Sequence, residues 1–267
     1  MKRLPVVAGQ FYKGRAAALE EEVGSLTTEC KEKIKAIGII SPHAGFMYSG
    51  SVAGVVYSKI EFPDTFLLLG PNHSGLGQKV SVMKEGTWEI PTNSFETDTA
   101  LADAILKSSP VFNDDIIAHR FEHSLEVQLP FIAHFSKTVK VVPVCMMYIS
   151  VDKCKEAGAA LAKVIQESGK NVIIVASSDM SHYLPDSITR EKDKLALDKI
   201  LALDPEGLYD VVKKEEITMC GVTPATVMMY AALAMGAVGA EIVKYATSGE
   251  SSGDYDRVVG YVGVVIR

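Results

Sequence analysis

Three histidines stand just past short apolar runs: His43 in Ile39-Ile40-Ser41-Pro42-His43-Ala44-Gly45, His73 in Leu69-Gly70-Pro71-Asn72-His73-Ser74-Gly75, and His182 in Ser177-Ser178-Asp179-Met180-Ser181-His182. Imidazole binds metals and moves protons near neutrality, so rings brought to one point would make a metal or acid/base site. Pro42 and Gly45 frame His43, and Pro71 and Gly75 frame His73, as tight strand-to-helix turns require. Two matched turns favour a shared site over two unrelated loop histidines. Asp179 precedes His182 by three residues. There it can fix an imidazole tautomer or cap a helix start.

The segment from His119 to Phe131 packs ionisable groups beside a helical apolar stripe of Leu125, Leu129 and Ile132. Glu122, His123 and Glu126 there either face a site or solvate the helix start, and spacing alone leaves both open. His119 and His123 are four residues apart, but Arg120 stands where an H-E-x-x-H zinc motif needs glutamate, which argues against a zincin. Ser177 and Ser178 lack the G-x-S-x-G elbow of a serine hydrolase. Cys220 leads into an Ala/Met-rich segment. A helix start there would favour a thiolate able to bind a soft or borderline metal, although an isolated cysteine is more often inert core.

Such residues converge only if the strands before them lie side by side with their carboxyl ends at one edge, as in open α/β sheets. β-Branched runs predict strands at 37–40, 65–69, 80–82, 139–145, 172–176, 241–246 and 258–266, several of them apolar on both faces. Helical patterns fall at 16–26, 49–60, 99–107, 124–135, 151–167, 190–203 and 224–235. Residues 86–98 are polar, carry Pro91 and Asn93, and read as an irregular surface excursion. The expected fold is a layered α/β/α single domain over 1–267 with a mostly parallel or mixed central sheet. A chain of 267 residues that is 48% apolar can bury such a core.

A net charge of −6 without a Lys/Arg run argues against a nucleic-acid groove. The first residues lack the apolar core of a signal peptide and no window approaches a membrane span, so a cytoplasmic location is expected. Cys30, Cys145, Cys154 and Cys220 show no C-x-x-C spacing and read as separate thiols.

Several ordered motifs run nearly end to end: Val7-Ala8-Gly9-Gln10-Phe11-Tyr12, Pro42-His43-Ala44-Gly45-Phe46-Met47-Tyr48-Ser49-Gly50, Leu69-Gly70-Pro71-Asn72-His73, Glu122-His123-Ser124-Leu125-Glu126-Val127-Gln128-Leu129-Pro130-Phe131, Ser177-Ser178-Asp179-Met180-Ser181-His182-Tyr183, Cys220-Gly221, Ser248-Gly249 and Val258-Val259-Gly260-Tyr261. Together they resemble the Memo family, the B component of the AmmeMemoRadiSam gene-cluster proteins, related in fold to the class III extradiol dioxygenases that open catechol rings with non-haem iron. Lys13 and Ile90-Pro91-Thr92-Asn93 depart from the family pattern.

The resemblance puts His43, His73 and Cys220 on metal-binding positions. Asp179 and His182 match polar residues of the same pocket, His182 as acid/base and Asp179 as orienter or further ligand. Glu122 and His123 are expected in the surrounding shell. Cys220 stands where the ring-cleaving relatives have a carboxylate ligand, so dioxygenase activity does not follow from the fold. Fe(II) is the expected ion, with copper or zinc as alternatives. The implied function is a metal-dependent redox enzyme of unknown substrate. Its alternative is a binding or adaptor protein that takes a peptide or small ligand in the same pocket, as the animal members look like signalling proteins that engage a phosphorylated receptor peptide. The gene-cluster name adds a pathway link to a radical-SAM protein.

Overall fold

A computed structural model describes all 267 residues. Along the chain run β1 (Lys2–Arg3), α1 (Ala16–Leu26), β2 (Gly38–Ser41), α2 (Phe46–Lys59), β3 (Thr65–Pro71), β4 (Val80–Val82), β5 (Thr87–Ile90), β6 (Asn93–Glu96), α3 (Thr99–Ser108), β7 (Asn113–Asp114), a 3-10 turn (Glu126–Gln128) and α4 (Leu129–Phe135). Then follow β8 (Lys140–Met146), α5 (Val151–Ser168), β9 (Val172–Ser177), β10 (His182–Leu184), α6 (Asp186–Leu201), α7 (Pro205–Lys214), α8 (Val222–Ala234), β11 (Ala240–Thr247), α9 (Gly249–Ser252) and β12 (Val258–Ile266). No helix is long and apolar enough to cross a membrane.

The central sheet runs β10-β12-β2-β9-β3-β8-β4-β7, with β11 also paired to β12. Its middle, β2, β9, β3 and β8, is parallel, while β12 and β4 join antiparallel. The sheet is therefore mixed, with a parallel centre. Both faces are covered. Leu67 and Leu69 of β3 enter one core with α3, α5, α6, α7 and α8, whereas Phe66 and Leu68 enter the other with α1, α2 and α4. Alternate side chains of one strand thus feed two helical layers, which is why the strands read as continuous apolar runs.

Three local readings change. The polar stretch 86–98 contains a hairpin, β5 and β6, paired Ile90 to Asn93 across Pro91-Thr92. Trp88 and Phe95 face inward and are fully buried, but the alternation of Thr, Glu and Ser around them reads as loop from sequence. β1 adds to this hairpin as a small separate sheet. The helix read at 124–135 starts only at Leu129, because Pro130 lacks an N–H and is accommodated in a first turn rather than in mid-helix. His182 opens a short edge strand, β10, instead of ending in a loop. Helix α7 carried no recognised signal.

The α5–α8 contact depends on Gly158, where an added Cβ would lie 2.5 Å from Tyr230 Cβ and 2.8 Å from the Val227 carbonyl. Helix propensity alone would make Gly158→Ala stabilising by about 1 kcal/mol. Steric overlap with backbone reverses the sign: we expect a loss of about 1–3 kcal/mol, read as a lower midpoint in urea at unchanged slope. A higher midpoint would show that the two helices separate freely.

Candidate metal centre

Three neighbouring parallel strands each deliver one polar residue two positions beyond their last residue. β2 ends at Ser41 before His43, β9 at Ser177 before Asp179, and β3 at Pro71 before His73. Because Ser41 pairs with Ser177 and Leu69 with Ala176, the three ends lie nearly in step. The β3 and β8 carboxyl ends are also bridged from the side by the 119–125 loop, where Ser124 Oγ donates to the Pro71 carbonyl. That loop carries Glu122 and His123 to the same edge. Beside β9, Gly221 lets the turn before α8 press onto the strand end, since a Cβ there would lie 2.4 Å from Ser178 Cβ. Cys220 arrives with it.

The result is a cluster of imidazoles. Donor atoms of His43, His73 and His123 lie within 4.8 Å of one another. The His73 and His123 rings stack at 4.7 Å, and His43 meets both edge-on at 5.2 and 5.6 Å. Cys220 Sγ is 3.2 Å from His43 Nε2.

Hydrogen bonds choose which nitrogen each ring offers. Gln128 Nε2 donates to Ser177 Oγ, and Ser177 donates its own proton to the Ser124 carbonyl. Ser177 Oγ can then only accept from His43 Nδ1, 2.9 Å away, so Nε2 carries the lone pair. His73 Nδ1 donates to Glu122 Oε1 at 2.9 Å. His182 Nδ1 donates to the Thr218 carbonyl at 2.9 Å. All three rings therefore carry their lone pair on Nε2, that of His43 facing the Cys220 thiol, and hydrogen bonds of this kind at Nδ1 are what orient metal-binding histidines.

Charge is arranged with equal care around the cluster. Burial pushes His43 well below the usual imidazole range, helped by its neighbours His73 and His123. Burial also lowers His123, with Glu122 opposing. For His73, burial is outweighed by the hydrogen bond and charge of Glu122, and its pKa is raised. Burial works against charge on Glu122 too, but the bond from His73, the charge of that ring and the N–H of Ser124 hold it down to about 2. Asp179 is raised by burial even though it accepts the His43 and Ala44 N–H groups. Burial, with Asp179 beside it, pushes the Cys220 thiol up.

In front of the cluster opens a cavity of about 610 Å³ lined by His43, His73, His123, Asp179 and His182, with aromatic walls from Phe11, Tyr48, Tyr183 and Tyr261. The structure brings His43, His73, Asp179, Cys220, Glu122 and His123 together, with His182 at the cavity edge. Glu122 is fully buried and bonds His73; it does not line the cavity. His123, expected in the surrounding shell, stands among the imidazoles themselves.

The profile of the Memo-like protein family matches residues 3–265. The chain belongs to the Memo family. MEMO1 family proteins of Methanopyrus kandleri, Pyrobaculum aerophilum and Aquifex aeolicus are 38%, 40% and 42% identical to it. These matches cover 100%, 98% and 98% of this chain and 99%, 98% and 98% of the relatives. A crystal structure of an uncharacterized protein from Escherichia coli K12 is similar with a TM-score of 0.58, over 85% of this chain and 98% of that one, at 12% identity, a likeness of fold alone.

The roles of two groups of this Memo protein's site are not legible in the sequence. Gln128 and Ser177 set the His43 tautomer, yet Gln128 lies 85 positions from His43 and nothing local ties them. Arg3 reaches from β1 to bond the Glu122 and His119 carbonyls and the Glu126 carboxylate.

His119 lies beneath this arrangement, buried against Trp88, bonding the Ser81 carbonyl and Cys145. Burial lowers its pKa from 6.5 to about 4. Unfolded chain then binds the proton first as pH falls, so folded stability present above pH 6.5 declines toward pH 4, by on the order of 3 kcal/mol from this residue. Denaturant titrations of metal-free protein across that window should show the decline, and His119→Phe should make it shallower, with the lowered His43 and His123 contributing to what remains and the raised His73 opposing it. An unchanged pH slope in the variant would assign the acid sensitivity elsewhere.

Proposed function

We propose that this Memo protein is a metal-dependent oxidoreductase that holds a transition ion in the pocket and acts on a small molecule. The ion is Fe(II) in first place, with copper or zinc as alternatives. One observation carries the reading: the donor atoms of His43, His73 and His123 lie within 4.8 Å of one another, and the hydrogen bonds of His43 and His73 at Nδ1 leave the lone pair on Nε2. The thiol stands outside that three-histidine group but beside one of its members, His43. Ligands at about 2.0 Å for nitrogen and 2.3 Å for sulfur on one tetrahedral ion lie about 3.5 Å apart, and His43 Nε2 and Cys220 Sγ are 3.2 Å apart. His43, His73 and Cys220 are the proposed ligands, with His123 a fourth.

A bound iron with open positions would supply activation of O₂ or polarisation of a substrate oxygen. The protein's own groups do the rest. Glu122 and Ser177 fix the ligand rings, Asp179 pins the His43 backbone at 2.8 Å, and His182 presents a free Nε2 to the cavity as proton donor or acceptor. The aromatic walls offer flat apolar surface to the space where a substrate would lie.

Anaerobic titrations with Fe(II), Cu(I) and Zn(II) test the site. His43→Ala and His73→Ala should each weaken binding by more than about 100-fold, beyond the effect usual for an orienting residue. Cys220→Asp should lose the preference for Cu(I) over harder ions. Acidification should weaken binding, with His73 protonating first because its pKa is raised and with the thiol proton harder to displace. Affinities identical in wild type and all three variants would refute the centre. Oxygen uptake with catechols tests the redox half, and equal uptake by metal-free and loaded protein would refute that.

A further inference from the structure

The cavity lining is of two chemical kinds. One is the imidazoles; the other comes from the 248–257 segment and Tyr183, and it contains Arg257. Arginines on protein surfaces are commonly matched by carboxylates, and Arg190 nearby is matched twice, to Asp186 and Glu250. Arg257 has no such partner. Its guanidinium lies over the Tyr183 ring, 5.7 Å from the centroid, and lines the cavity. Tyr183 is itself unusual: its φ of 62° places a bulky residue in the left-handed region, and the residue is 64% exposed. A strained, exposed aromatic at a pocket wall is a common mark of a ligand contact.

We propose that Arg257 and Tyr183 form the recognition end of the pocket and bind the carboxylate of a small planar aromatic acid, whose ring lies between the aromatic walls. Guanidinium pairs carboxylates through two parallel N–H donors and also stacks on rings, so one side chain serves both halves of such a ligand. Phe11, Tyr48, Tyr183 and Tyr261 supply flat apolar wall. The charge balance selects the type of anion. Asp179 and Asp254 line the same cavity, so a single cation faces two carboxyl groups, which favours a monoanionic carboxylate over a dianionic phosphate. The inference rests on the metal reading only in directing the far end of the ligand toward the imidazoles.

Binding of four probes to the full-length protein tests it: benzoate, neutral benzamide, cyclohexanecarboxylate and phenyl phosphate, followed by ligand-observed NMR and calorimetry with and without Zn(II). Benzoate should bind about tenfold more tightly than benzamide, a typical margin for one charge-assisted contact, and also more tightly than cyclohexanecarboxylate and phenyl phosphate. Arg257→Gln should remove that margin while leaving benzamide unchanged, and Arg257→Lys should recover part of it. Because Arg257 is exposed, neither variant should disturb folding, and Zn(II) affinity in Arg257→Gln should match wild type. Benzoate that fails to bind, binds Arg257→Gln equally, or binds less tightly than phenyl phosphate overturns the proposal. Cyclohexanecarboxylate equal to benzoate overturns the planar requirement. Failure of Fe(II), Cu(I) and Zn(II) alike to bind wild type, with benzoate still dependent on Arg257, would sink the metal reading and support this one.

Discussion

A carboxylate without access to water has to be met by donors, and Glu122 is met by four: the N–H groups of His73, His123 and Ser124 and the Nδ1 proton of His73. An unpaired buried charge costs several kcal/mol, so the arrangement persists only if all of its partners stay in place. This one group therefore ties the loop after β3 to the loop before α4. It also sets the tautomer of His73 and brings His123 alongside it. Arg3 extends the constraint outward. By bonding the Glu122 carbonyl and the Glu126 carboxylate, which also accepts from Tyr12 and the Val6 and Val7 N–H groups, it fastens the amino-terminal segment beneath the site. Trp88, under the guanidinium at 4.4 Å, joins the small β1-β5-β6 sheet to the same network.

The other half of the site depends on sheet geometry rather than on charge. Parallel neighbours β2, β9 and β3 run in the same direction, so equal extensions past their ends reach the same edge. His43, Asp179 and His73 occupy those extensions. His182 comes by a different route, from an edge strand antiparallel to β12, and so lies at the cavity's side rather than over the strand ends. Its position beside Tyr183 places the free Nε2 next to the wall that carries Arg257.

Much of this was legible in the residues. The long buried strands announce themselves as β-branched runs, and the paired Pro–His–Gly turns point to two of the three strand ends, because proline and glycine are required by turn geometry whatever the tertiary context. What stayed hidden was set by contacts distant in sequence. His123 reads from spacing as either site or solvated helix start, and only the Glu122 network decides between them. Gln128 and Ser177 are unremarkable polar residues until the fold places them beside His43 Nδ1. The hairpin of β5 and β6 was hidden for the opposite reason: its inward residues, Trp88 and Phe95, are too few and too flanked by polar side chains to outweigh Pro91 and Asn93. Charge partners and hairpins of this kind are tertiary facts, not local ones.

The environments of the imidazoles differ in a way that matters for any ligand they share. His43 is held neutral by burial, whereas His73, paired with a carboxylate and partly open to solvent, accepts a proton more readily. A cation entering the pocket meets little resident positive charge at His43 and His123, and finds compensating negative charge behind His73. Cys220 completes the gradient: as a thiol it adds no charge to the pocket, but if a cation displaced its proton to solvent it would contribute a thiolate directly beside His43 Nε2. The pocket can thus stay nearly neutral when vacant and become a strong donor set only when a cation is there to hold the charge. That explains how three imidazoles and a thiol can be packed close together in a folded core without mutual repulsion.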